Sequence, residues 1–164
     1  MELTGRLRDF HRLGGHIIPA NGKGYMIEPL AMLESFGIPS FVVFDSDASV
    51  EDPTKREKHR LDNQALLHLC GYGAADPLPA DCLKQERVTM WSDDIGSRVA
   101  STAGATAWEA AQNGARAKHD LHAKGMKKNP MFIGFALSEL HEAGTACDAL
   151  DELCESIIAF LRAS

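Results

Sequence analysis

A single α/β domain, with a small parallel sheet flanked by helices and a helical C-terminal part, is the fold class this sequence predicts. Three observations predict it. Short apolar stretches with strand character end near Ala20, Asp45 and Trp91. The first two are joined by a Gly-rich turn and a helical pattern, which reads as a right-handed βαβ unit with parallel strands. Beyond them, apolar residues recur mainly at helical spacing.

In chain order, Leu3, Leu7, Phe10 and Leu13 recur at helical spacing until Gly14 and Gly15 stop the pattern. "HIIPA" (16–20) reads as a strand and "NGKG" (21–24) as a tight turn. Met26, Leu30, Leu33 and Phe36 form an amphipathic helix ended by Gly37; Pro29 belongs in its first turn, so the regular part begins near Glu28. "IPSFVVFD" is the next strand. A helix over 54–70 places Leu61, Ala65, Leu66 and Leu69 on one face, and a loop with Pro77 and Pro79 leads to "ERVTMW" (86–91), a third strand. Two helices follow over 93–124. "GMKKNP" (125–130) is a break, and helices over 130–143 and 146–162 complete the chain. Leu150, Leu153, Ile157, Phe160 and Leu161 line the last helix, and Trp91 and Trp108 read as core. With no repeat or linker, 1–164 reads as one domain, with a core over 15–95 and a helical part over 96–164.

The chain has 164 residues, 45% hydrophobic and 24% charged, the balance of an ordinary globular protein. No apolar run approaches the roughly 20 residues of a membrane span, and the N-terminus lacks the apolar segment of a secretory signal. Cys70, Cys82, Cys147 and Cys154 form no zinc-ligand spacing, and buried thiols in a reducing cytoplasm fit them. The seven histidines show no metal-ligand spacing and read as surface or boundary residues; His119 and His122 fall three apart on one helix. The net charge of −6 argues against a stand-alone nucleic-acid binder, although "KREKHR" (55–60) is locally basic. From Glu139 to Glu155 there are six acids and no Lys or Arg. Any grip on nucleic acid would have to come largely from metal ions or from another polypeptide.

The chemistry concentrates at "FVVFDSDAS" (41–49), where an apolar strand runs into Asp45 and Asp47. In open parallel α/β sheets, ligands bind at the carboxyl ends of strands. Two carboxylates this close resist joint ionisation unless a cation compensates, and Mg²⁺, which takes one or two carboxylates plus water and phosphate, suits them. A solvated strand end closed by an Asx-type turn is the competing reading. "WSDDIG" (91–96) repeats the spacing with Ser92 and Asp94, either as further metal ligands or as a helix start in which Ser92 or Asp93 is the cap. Asp93 is the expected cap. Gly22, Lys23 and Gly24 form a turn that could face an anion, or are there for backbone geometry. Lys127 and Lys128 precede a helix start, as surface lysines or as groups that stabilise charge on a phosphate.

These residues resemble a family. The run "HIIPANGKGYMIEPLAMLESFGIPSFVVFDSDAS" is similar to the Toprim domain, in the version found in overcoming lysogenization defect (OLD) ATP-dependent endonucleases. "DNQALLHLCG", "VTMWSDDIG" and "KKNP" follow in the family's order, so the resemblance covers most of the chain from about Gly15. It implies a Rossmann-like fold binding Mg²⁺ or Mn²⁺ at a DNA-cleaving site. Asp45 and Asp47 would be the DxD carboxylates, Ser92 and Asp94 the serine-and-acid metal motif, and Lys128 or Lys127 the catalytic lysine. Aspartate stands at position 94 where the family more usually has glutamate. The family's glutamate motif of the LVEGxxE kind has no counterpart before His16, where Glu2 is the only glutamate, and its ATPase domain is not in the sequence.

The expected function is therefore a Toprim-type, metal-dependent DNA endonuclease module. It would be a fragment or partner-dependent part of an OLD nuclease, inactive or weak until an ATPase domain or second polypeptide supplies the missing glutamate; a homodimer is compatible with this. One alternative is a non-catalytic Toprim remnant that assembles or regulates. Another is a phosphatase of the haloacid-dehalogenase type, since "DSDAS" approximates that family's DxDx[T/V] motif, with Asp45 as nucleophile and Asp47 as acid/base. Only the phosphatase would form a phosphoaspartate at Asp45.

Overall fold

The computed structural model describes residues 1, 4–119 and 130–164. Among them, helices α1 (Leu7–Arg12) and α2 (Ile27–Ser35) precede strand β1 (Val42–Asp45), and a 3₁₀ turn over Lys23–Tyr25 leads into α2. Helix α3 (Pro53–Leu69) connects β1 to a hairpin of β2 (Leu83–Gln85) and β3 (Val88–Trp91). Four helices follow: α4 (Ile95–Ala103), α5 (Ala105–His119), α6 (Pro130–Glu142) and α7 (Asp148–Ala163). The architecture is mixed α/β with a helical C-terminal part, as the sequence predicts. Expectations for Glu2, His122, the "GMKKNP" break and the lysine pair in it fall outside the described residues.

The sheet runs β1-β3-β2. β1 and β3 are parallel, with Val42 opposite Val88 and Asp45 opposite Trp91. β2 is antiparallel to β3, with Gln85 opposite Val88 across the two-residue turn Glu86–Arg87. The sheet is therefore mixed, and the parallel crossover is β1–α3–β3. The strand expected at 16–20 does not form: those residues are exposed, with Ile17 and Ile18 73% and 66% accessible. An apolar run becomes a strand only with a ladder partner, and Pro19 lacks one of the amide donors a ladder needs. β2 escaped the sequence reading because it is three residues long and its turn has no glycine or asparagine to announce it.

One face of β1 and β3 packs on α2 and α3, burying Leu30, Val42, Phe44, Leu66, Val88 and Met90. The buried stripe of α3 is Asn63, Leu66, Leu67 and Cys70, at the i, i+3, i+4, i+7 spacing of one helix face. Leu61, expected on that face, is 54% exposed. Trp91 is buried as predicted, and Trp108 is partly buried between the helices of the C-terminal part. There, α5 packs on α6 through Ala115, Phe132 and Ala136. Helix α7 packs against the entry to β1 through the Phe41–Phe160 ring contact, with centroids 5.6 Å apart, and reaches β2 through the Lys84–Glu152 ion pair.

Helix α3 begins at Pro53, which the sequence reading placed in the loop before a helix over 54–70. Asp52 accepts hydrogen bonds from the Thr54 and Lys55 amides at 2.9 and 3.0 Å, and Pro53 occupies the first helical position. Asp52→Ala is expected to lower stability by about 1 kcal/mol in urea denaturation. An unchanged midpoint would show that the cap contributes nothing.

Candidate metal centre

Asp45 ends β1 and stands opposite Trp91, the last residue of β3, so the segments leaving two adjacent parallel strands meet at one end of the sheet. Ser46 ties them together. It is fully buried, its amide donates to Trp91 O at 2.8 Å, and its hydroxyl donates to Ser92 O. Asp47 then turns the chain with a left-handed φ of 54°, a conformation aspartate tolerates better than most residues. The Asp47 amide donates to Asp93 O at 3.3 Å.

Asp45 Oδ1 accepts the Ile95 amide at 3.1 Å, at the N-terminus of α4. Burial, and then the neighbouring Asp47 charge, push the Asp45 carboxyl up from 3.8 to about 6; Asp94 adds to this, while the Ile95 amide and Lys23 oppose it. The strand end is thus short of positive charge even with a lysine beside it.

That lysine is Lys23. Its ammonium lies 2.6 Å from Asp47 Oδ2 and donates to Asp45 O at 2.7 Å and Ser46 O at 3.1 Å. Its side chain is only 8% exposed. Of the Gly22–Lys23–Gly24 turn, the lysine therefore points into the acidic strand end. Gly22, at φ 119°, holds a backbone conformation that other residues rarely adopt.

His59 of α3 places Nδ1 3.3 Å from Asp47 Oδ2, out of line for a hydrogen bond. Asn63, one turn further on, donates from Nδ2 to Ser46 O at 2.9 Å and Pro77 O at 2.7 Å. Sequence reading missed His59, Ser46 and Asn63 as parts of this end. The signal for Asn63 was a polar residue on an otherwise apolar helical stripe.

Asp94, rather than the expected Asp93, caps α4: its Oδ1 accepts the Ser97 amide at 2.9 Å. Asp93 instead accepts the Ser49 hydroxyl at 2.6 Å. The choice follows from where the helix begins, since the cap must lie just before Ile95 for its oxygen to reach Ser97 N. The Ser92 hydroxyl lies 3.8 Å from Cys82 Sγ and borders a cleft with Arg98. Lys127 and Lys128 lie outside the described residues.

Asp45 and Asp47 supply hard oxygen donors, and the charge crowding that helps raise the Asp45 carboxyl is what a divalent cation would relieve. Among the described residues, no three His, Cys, Asp or Glu side chains form a group that could hold an ion.

The fold and this strand end define a small α/β protein of Toprim-like architecture. Residues 2–47 match the family model for the overcoming lysogenization defect protein-like TOPRIM domain, and over that stretch the chain is similar to this domain. The match begins before the motif run noted from Gly15, takes in α1, and ends on Asp47. No curated protein and no solved structure matches the chain. Among the described residues, no helix is long and apolar enough to cross a membrane.

Proposed function

We propose that this chain is a Toprim module of the OLD kind in which Asp45 and Asp47 serve Mg²⁺- or Mn²⁺-dependent hydrolysis of DNA phosphodiesters. The observation that carries the reading is that the family match runs through both aspartates, which sit at the carboxyl end of a parallel strand. A divalent ion, when bound there, would supply an activated water and charge stabilisation for the leaving oxygen. Asp45 and Asp47 would hold it; the resemblance assigns Ser92 and Asp94 as further ligands, and Asp94 would have to leave its place as the cap of α4 to serve. The resemblance assigns the part of the catalytic lysine to Lys128 or Lys127.

DNA would approach along α3. Lys55, Arg56 and Lys58 are exposed, and Lys55 and Arg56 lie one helical turn before His59, which touches Asp47. With a net charge of −6, this small patch holds DNA weakly, so a second polypeptide such as an ATPase domain supplies further grip. The same partner completes the ligand set with a glutamate.

A non-catalytic remnant is the second reading. It is favoured by the seating of Lys23 on Asp47 and by the lack of a three-ligand group among the described residues. Nicking of supercoiled plasmid tests both. The chain alone is expected to nick weakly or not at all. Adding a segment that carries a strand and the glutamate motif is expected to restore nicking, with Mn²⁺ more effective than Mg²⁺ and Asp45→Ala inactive. Robust cutting by the chain alone would remove the need for a partner. No cutting after supplementation would favour the remnant.

A further inference from the structure

The Lys23 ammonium is placed as a metal ion would be. It touches one carboxylate oxygen and two main-chain carbonyl oxygens, so each of its three N–H donors has an acceptor within 3.1 Å. Those carbonyls, of Asp45 and Ser46, belong to the end of β1, where the chain leaves the ladder. The ammonium is nearly excluded from water, and a charge is stable in such a place only when paired and hydrogen-bonded. The 3₁₀ turn over Lys23–Tyr25, entered through Gly22, delivers it from 22 residues upstream of Asp45.

We propose that Lys23 is a tethered counter-ion that holds the place of the divalent cation, so that metal binding at Asp45 and Asp47 proceeds by exchange with its ammonium. One positive charge leaves the acidic end undercompensated, which allows a divalent ion to win the exchange. It also keeps the metal-free strand end from repelling itself apart. In this arrangement the lysine sets the metal concentration at which the site fills. The proposal rests on the reading that Asp45 and Asp47 bind a divalent ion.

The test is Mn²⁺ binding, followed by loss of the free-ion electron paramagnetic resonance signal, in the wild type, Lys23→Met and Asp45→Asn. Lys23→Met keeps much of the buried stem and removes the competing charge. It is expected to bind Mn²⁺ at least about tenfold more tightly than the wild type, while Asp45→Asn loses binding. Lys23→Met is also expected to melt lower than the wild type without metal and to recover with saturating Mn²⁺. Should Lys23→Met fail to fold, Lys23→Gln retains an N–H donor for the carbonyls and makes the same comparison. If the lysine variants bind Mn²⁺ no more tightly than the wild type, while Asp45→Asn abolishes binding, the exchange proposal is wrong and the metal site stands. If none of the proteins binds Mn²⁺, the metal reading itself falls.

Discussion

Asp45→Asn is expected to raise the melting temperature of the metal-free protein at pH 8 and to remove its response to Mn²⁺. The Asp45 carboxyl is pushed up to about 6 in the folded chain against an ordinary 3.8, chiefly by burial and then by the neighbouring Asp47 charge. A carboxyl raised in this way binds its proton more tightly folded than unfolded. Its ionisation therefore costs the fold stability as pH rises from about 4 to about 6, and that deficit persists above. The full displacement corresponds to about 3 kcal/mol, which partial exposure to solvent reduces to about 1–2 kcal/mol. Asparagine carries no charge and keeps an oxygen for the Ile95 amide, so at pH 8 it recovers that amount, about 2–8 °C in melting temperature. Near pH 4 the gain should vanish. Saturating Mn²⁺ should stabilise the wild type and leave the variant unmoved, because only a ligand that binds the native state raises its melting point. Melts across pH 4–8, with and without metal, measure both effects. A variant no more stable than wild type at pH 8 would show that Asp45 is not under electrostatic strain.

Leu66→Ala is expected to lower stability by about 2–5 kcal/mol, while Leu61→Ala changes it by no more than about 0.5 kcal/mol. Both leucines lie on α3 and were expected to share its apolar face, but five residues separate them, about 140° around the helix. Leu66 is fully buried among Leu30, Phe44, Val88 and Met90, so truncation leaves a cavity between helix and sheet. Leu61 is 54% exposed and has little packing to lose. Urea denaturation of the pair is the measurement. Equal losses would mean that the helix is rotated about its axis from the position described. Because Asn63 shares the buried stripe and binds Ser46 O, Leu66→Ala is also expected to weaken Mn²⁺ binding indirectly, by loosening the strand end.

What the sequence determined by itself was local. The periodicity of Met26, Leu30 and Leu33 marked α2, the apolar pattern over 54–70 marked α3, and the apolar face of 146–162 marked α7, because such signals act within one or two helical turns. The step from "FVVF" to Asp45 and Asp47 marked the acidic strand end for the same reason, and the family match reaches that point. Tertiary structure decided whatever depends on partners distant in the chain. The apolar segment 16–20 stayed unpaired because strand formation needs a neighbour, while the unremarkable "LKQ" became β2 because β3 lay beside it. Asp94 took the cap expected of Asp93, according to where α4 begins, and Asp93 accepts the Ser49 hydroxyl instead. Lys23, read as part of an anion-facing turn, became the cation of the acidic strand end. The physical reason is reach. A helical pattern carries its partners within a few residues, whereas a strand ladder or a buried ion pair joins residues whose proximity only the folded chain creates.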